Sequence, residues 1–196
     1  YHFISSIKPG SNRKELYNVG AIVQALKSDD RVLGWAPKVA AQVFYNIGPI
    51  EMTGVINGID VISEQNLFYF EDYVVEGNAI DLQNIPNTII LGKTAAEKML
   101  AKVGDNIQVT SGSGEQYTLK IVGFFQSGLA EIDKVQSYAS LKTTQKILGK
   151  PNNYITDIQI KLHDMTMAPK VGKEYSSLFR CDAEDIQTAN AQFETG

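Results

Sequence analysis

The 196-residue sequence predicts an α+β fold in which two βαβ units flank a β-rich insert. Three observations predict it. Apolar residues recur at helical spacing between two strand-like runs in the first fifth of the chain. The same grammar returns in the last quarter. Between them, short strands and tight turns dominate.

Tyr1 to Ile7 is rich in aromatic and β-branched residues and is closed by Pro9-Gly10, which reads as a short strand. Ser11 or Asn12 can cap the helix that follows, and Asn12 with Glu15 resembles a capping box. Leu16, Val19, Ile22, Val23 and Leu26 form one apolar stripe, ended by Ser28-Asp29-Asp30. From Arg31 to Ile47, Val39, Ala41, Val43, Tyr45 and Ile47 alternate with Ala40, Gln42, Phe44 and Asn46, the periodicity of a strand. Pro37 suggests an edge position or a late start to regular pairing.

The insert is expected to contain strands at Met52 to Ile59, Thr88 to Leu91, Ile107 to Thr110 and Tyr117 to Phe124. Ser111-Gly112-Ser113-Gly114 is the turn that joins the last two as a hairpin. Short helices fall at Lys93 to Ala101 and Ser140 to Leu148, with Ala95, Ala96, Met99 and Leu100 of the first facing the core.

The last quarter opens with a strand, Ile155 to Leu162, and turns at His163-Asp164 into a helix carrying Met167, Val171, Leu178 and Phe179. A short strand from Arg180 to Ala183 and an amphipathic helix with Ile186, Ala189 and Phe193 complete it. Two βαβ units around an insert describe a split, ferredoxin-like layer, with residues 1–50 and 155–196 as one subdomain and 51–154 as the other.

Composition narrows the function. With 43% hydrophobic and 20% charged residues, the chain can bury a real core. The net charge of −4 and scattered Lys and Arg do not make the basic face of a nucleic-acid binder. The single cysteine, Cys181, rules out an intrachain disulfide and a cysteine-based metal cluster. No stretch approaches the ~20 apolar residues that span a bilayer. A start at Tyr1 with no signal peptide is expected of a piece cut from a longer protein.

Catalytic patterns are not found. His2 and His163 are the only histidines and are not paired at a metal-binding spacing. Gly92-Lys93-Thr94 follows a strand as a P-loop would, but Asn87 stands at the first glycine position and the intervening residues are stiff and apolar. They are the strand itself, and Gly92 reads as a turn opening a helix. Gly112-Ser113-Gly114 lacks a dinucleotide fingerprint's third glycine, and no G-x-S-x-G elbow or calcium loop occurs. The carboxylates at Glu71-Asp72 and Asp182-Glu184-Asp185 read as solvated charges. No catalytic residue, cofactor or metal is expected, and the chain is read as non-enzymatic.

Several segments in order carry a resemblance. They are Gly54-Val55-Ile56-Asn57-Gly58-Ile59-Asp60; Gly77 with Ile89-Ile90-Leu91-Gly92 and Ala95-Ala96; Val103-Gly104-Asp105-Asn106-Ile107-Gln108-Val109; and Leu119 to Gly128. Asp133 with Tyr138, Leu141, Gln145 and Leu148, then Thr156 to Leu162 with Met165 to Ala168, continue it. Together they resemble the periplasmic core domain of MacB-type ABC-transporter permeases, a group that includes the lipoprotein-releasing LolC and LolE proteins. Within these segments Gly104 and Gly123 are expected at turns or bulges that favour positive φ, and Asp105 is expected to bond its own turn.

The resemblance implies a porter-like layer with an inserted, β-rich subdomain called Sabre. It implies a periplasmic location beside the bacterial inner membrane, with flanking membrane helices in the full protein. The implied partners are a cytoplasmic ATPase subunit, a second permease subunit and a lipoprotein or other periplasmic substrate. The implied function is mechanical coupling of ATP hydrolysis to substrate handling, with lipoprotein release ahead of MacB-type efflux of drugs or peptides. Residues Cys181 to Phe193 are similar to the lipoprotein-releasing members, although Ile186 stands where a Trp is common. The Ser111 to Gln116 hairpin lacks the long, proline-containing hook with which LolC-type members capture a chaperone. A soluble periplasmic binding module is the alternative of a different class.

Two loops are expected to face partners. One is the hairpin tip, with Ser111, Gly112, Ser113, Gly114 and Glu115. The other runs from Gly128 to Lys134 and includes Glu131 and Asp133.

Overall fold

The computed structural model describes residues 5–8, 16, 18–179 and 182–185, the two terminal strands by their backbone pairing alone. The chain divides into two compact units, residues 1–38 with 153–196 and residues 39–152.

The first unit is built from β1 (Ser5–Lys8), α1 (Val19–Ser28), the first half of β2 (Val32–Ile47), β9 (Asp157–Leu162), α7 (Ala168–Phe179) and β10 (Asp182–Asp185). Its strands lie in the order β10-β1-β9-β2. β9 pairs antiparallel with both β1 and β2, so β1 and β2 are parallel with β9 between them. β1 likewise separates β9 from β10. Each βαβ unit therefore receives one strand of the other, which is the split, ferredoxin-like layer the sequence predicts.

Local details differ from expectation. Ser11, Asn12 and Glu15 lie outside the described residues, as do Arg180, Cys181 and the last expected helix. Helix α1 begins only at Val19, after Asn18 at φ 58°, a left-handed position that a short polar side chain tolerates. Leu16 is buried but not helical, and its N–H donates to the Ile155 carbonyl at 2.9 Å. Ile22 and Leu26 carry the buried face of the helix. Pro37 does not delay pairing, because β2 is paired from Val32 and Pro37 lies opposite Ile158. On α7 the buried stripe is Ala168, Val171 and Tyr175. Leu178, expected on it, is 70% exposed at the rim of a hollow lined by Ser28, Asp29, Arg31 and Glu174, so polar groups and solvent surround it.

The second unit contains the rest of β2, then β3 (Ile50–Ile59), α2 (Val61–Phe68), a 3₁₀ turn (Phe70–Tyr73), β4 (Val74–Gly77), α3 (Asp81–Asn84) and β5 (Thr88–Gly92). It continues through α4 (Lys93–Lys98), β6 (Asn106–Ser111), β7 (Gln116–Phe125), α5 (Ala130–Val135), β8 (Gln136–Ser140) and α6 (Leu141–Leu148). Sheet neighbours run β2-β3-β8-β5-β7, and β6 pairs with both β7 and β2, so six strands close into a ring.

Ala41, Val43, Tyr45, Ile56, Ile89, Leu91, Ile107, Val109, Leu119 and Ile121 fill one core together with Ala95, Ala96 and Met99. The opposite faces of β5 and β7 are also buried. Ile90, Val122 and Phe125 pack against Val61, Phe70, Ala79 and Leu82 of the arm that runs from α2 to α3. Two covered faces explain the unbroken apolar run Ile89-Ile90-Leu91.

Leu100 departs from the reading. Helix α4 ends at Lys98, Leu100 takes φ 54° where the chain reverses, and its side chain is 79% exposed. Gly104 does hold positive φ, at 98°, and the Asp105 carboxylate accepts the Lys102 N–H at 2.9 Å within the same turn. Gly123 does not belong to the positive-φ positions. It sits at a register shift in the β5–β7 pairing, where a Cβ would collide with the Glu76 carbonyl of β4. Gly77, at φ 81°, faces the same crossing from the other strand.

Candidate functional site

The two loops read as contact sites lie at opposite ends of one strand. β7 leaves the hairpin at Gln116 and delivers the chain to Gln126 beside the second loop. Ten residues of strand separate them by roughly 30 Å. They do not form one surface.

The hairpin is a tight turn: the Ser111 N–H donates to the Glu115 carbonyl at 2.9 Å and the Gly114 N–H to the Ser111 carbonyl at 2.9 Å. Gly114 supplies φ 88°. Gly112, Ser113, Gly114 and Glu115 are exposed, whereas Ser111 is buried, its hydroxyl 2.9 Å from that of Ser113. The Tyr117 hydroxyl donates to Glu115 Oε2 at 2.7 Å, and that bond holds the Tyr117 proton on, raising its pKa.

The second segment is a loop only as far as Leu129, because Ala130–Val135 form α5; within it Gly128 and Glu131 are exposed and Asp133 is not. Asp133 is 3% exposed, and its Oδ1 accepts the Ser127 N–H at 2.8 Å. Its carboxylate fastens the loop. A surface-contact role therefore falls to its neighbours, including Leu129 and Ile132, whose side chains face solvent. Lys98 reaches this loop as well, and the adjacent Lys134 lowers its pKa.

Asp133 also explains Gly92-Lys93-Thr94. A Cβ at Gly92 would fall on the Asp133 carbonyl, so the glycine lets α4 start against α5.

A cleft of about 530 Å³ in this unit is lined by Asp60, Gln83, Asn87, Ser140, Lys142, Thr143 and Lys146, with Ile59 and Leu82 beneath. It opens where the parallel strands β3 and β8 end. Asp60 caps α2 by accepting the Ser63 N–H at 3.1 Å, and Ser140 caps α6 by accepting the Thr143 N–H at 3.1 Å. Lys146 Nζ donates to Asn87 Oδ1 at 3.3 Å. Asp60, Asn87, Ser140 and Lys146 are thus engaged with local backbone and with each other. Sequence reasoning missed the cleft, because Asp60 and Ser140 are 80 positions apart and only the β3–β8 pairing joins their helices.

Buried polar groups elsewhere serve the fold. Tyr45, on the ring interior, contacts Gly54 and hydrogen-bonds the Ser137 hydroxyl at 2.5 Å; burial raises its pKa. Tyr138 packs between Phe70 and Phe125 at centroid distances of 4.8 and 4.9 Å. Burial raises its pKa too, with Glu64 and Asp133 adding to the effect.

In the first unit, Asp29 is the centre of a polar knot. Its carboxylate accepts Arg31 Nε at 2.9 Å, Arg31 Nη2 at 2.8 Å and the Tyr175 hydroxyl at 3.1 Å. Arg31 also pairs with Glu174 at 2.8 Å. The Arg31 side chain holds the Asp29 pKa down at about 2 against the opposing effect of burial. This ties the end of α1 to α7.

The architecture has known relatives. A family model described as MacB-like periplasmic core domain matches residues 3–178. Among curated proteins, none matches the sequence. The periplasmic region of MacB from Actinobacillus actinomycetemcomitans superposes with a TM-score of 0.67 at 15% identity, covering 98% of this chain and 93% of that one. The extracellular domain of the noncanonic ABC-type transporter YknZ from Gram-positive bacteria gives 0.64 at 16% identity, covering 91% and 92%.

Proposed function

The chain belongs to the MacB-like periplasmic core domain family, and from that premise we propose that it couples ATP hydrolysis on the far side of a membrane to the handling of an extracytoplasmic substrate. As the extracytoplasmic domain of a MacB-like ABC-transporter permease, it works by conformational change rather than bond chemistry. The observation that carries this reading is the family match along residues 3–178, which takes in the closed ring and the split βαβ layer as far as α7. Its partners are a cytoplasmic ATPase subunit and a second permease subunit.

The first substrate reading is a lipoprotein leaving the inner membrane, supported by the likeness of residues 181–193 to the lipoprotein-releasing permeases. A second reading, efflux of a drug or peptide, is favoured by the short hairpin without proline between Ser111 and Gln116. Reconstituting the full permease with its ATPase in proteoliposomes that carry an acylated lipoprotein separates the two. ATP-dependent release, lost when residues 39–152 are replaced by a short linker, is expected. Transport of a peptide without release would overturn the lipoprotein reading in favour of efflux. Neither activity, with ATP hydrolysed normally, would remove both.

A further inference from the structure

The arm from α2 to α3 has an unusual charge pattern. Residues 39–92 contain no Lys, Arg or His, yet hold seven carboxylates: Glu51, Asp60, Glu64, Glu71, Asp72, Glu76 and Asp81. This segment carries −7 in a chain whose total is −4. Its inner side, through Val61, Phe70, Ala79 and Leu82, covers the outside of β5 and β7.

Its outer side is both apolar and acidic. Six of the thirteen large hydrophobic side chains that stay exposed among the described residues fall between positions 62 and 85. The densest part is the 3₁₀ turn and β4. There Tyr69, Tyr73 and Val75 are each more than 40% exposed, and Glu71, Asp72 and Glu76 stand between them in sequence, all exposed. Among the described residues no cation forms an ion pair with these three carboxylates. Lys146 reaches the base of the arm, at Asn87. β4 is also the outermost strand of its sheet, paired with β7 alone.

Exposed tyrosines and aliphatics interleaved with unpaired carboxylates are a recognition surface with a defined complement. We propose that the face formed by Tyr69, Glu71, Asp72, Tyr73, Val75 and Glu76 docks a cationic, amphipathic segment of a partner protein. Its lysines or arginines answer the carboxylates while its aromatic or aliphatic side chains cover the tyrosines. A second copy of this chain presenting the same face would set three carboxylates against three, and an anionic lipid surface would be repelled for the same reason. The inference does not depend on which substrate the transporter moves.

The test titrates the chain into a fluorescein-labelled helical peptide of lysine, leucine and tryptophan, and into its counterpart with glutamate for lysine, reading anisotropy. The lysine peptide binds and the glutamate peptide does not. The triple variant E71Q/D72N/E76Q weakens binding by about tenfold or more, and Tyr73→Ser weakens it further while leaving the salt dependence in place. D30N/E51Q/E97Q removes the same charge from other exposed positions and shifts binding by less than about twofold. Equal weakening by the two triple variants, or none by the first, overturns the proposal. A paramagnetic label on the peptide gives a readout on the unsubstituted chain: broadening of amides 69–77 supports the site, and broadening centred elsewhere overturns it. Concentration-dependent dimerisation abolished by Tyr73→Ser would overturn it in favour of a second copy.

Discussion

The split βαβ layer and the closed ring both bury apolar side chains, Ile22, Leu26, Ile158, Ile160 and Val171 in the layer, and differ in what is added to them. In the layer, α1 and α7 are tied by Asp29, Arg31, Glu174 and Tyr175, a knot at the edge of water. In the ring, strands far apart in sequence are held by aliphatic side chains that water does not reach, such as Ile89, Leu91, Ile107 and Ile121. A polar knot is directional and sensitive to pH and salt, while an apolar core is neither. The layer is therefore the part whose stability solution conditions can tune.

The largest effect expected from this contrast is in the ring. Leu91→Ala removes a fully buried side chain between β5 and the core and should cost about 2–5 kcal/mol in urea unfolding. A loss below about 1 kcal/mol would mean that the ring is loosely packed there, and the contrast with the layer would break.

The intermediate effect concerns Asp29. Its folded pKa of about 2 lies below the ordinary value of 3.8, so the unfolded chain binds the proton first as pH falls. The contribution is complete above roughly pH 5 and is lost as pH falls through 3.8 towards 2. With solvent screening, a loss of about 1 kcal/mol is expected for the unsubstituted chain, and Asp29→Asn should abolish this part of the pH dependence. Urea midpoints at neutral and acidic pH for the two proteins check it. Identical acid sensitivity in both would show that the knot contributes nothing.

The smallest effect sharpens the picture of α7. Leu178 lies at helical spacing from Val171 and Tyr175 but faces solvent, so Leu178→Ser should change stability by less than about 0.5 kcal/mol. A thermal shift equivalent to a core substitution would place Leu178 in an apolar contact and extend the layer's core to that side.

Legibility differed between the two units for a physical reason. In the layer, α1, β9 and α7 are long enough to show their period. The alternation of Ile158, Ile160 and Leu162 along β9 and the spacing of Ile22 and Leu26 reveal which faces are buried. In the ring, α3 spans four residues, β4 four and α5 six, too short for any period to emerge. The sequence reading left these elements, together with α2 and β8, unassigned. Asp133 reads as a partner-facing residue because the sequence places it in a loop from Gly128 to Lys134, and such loops are natural contact sites. Only the Ser127 N–H, six residues back, shows what it holds.

By itself the sequence determined the α+β class, the two βαβ halves around an insert, the hairpin at Ser111 to Gln116 and, through ordered short segments, the family. These depend on local periodicity, turn chemistry and the order of motifs, all written along the chain. The tertiary structure alone decided that β6 closes the ring by joining β7 to β2, that the two candidate loops sit at opposite ends of β7, and that Asp60 and Ser140 cap neighbouring helices around one cleft. Each of these is a relation between distant segments. Burial of two sheet faces and strand pairing fix it, and neither leaves a mark in any single window of sequence.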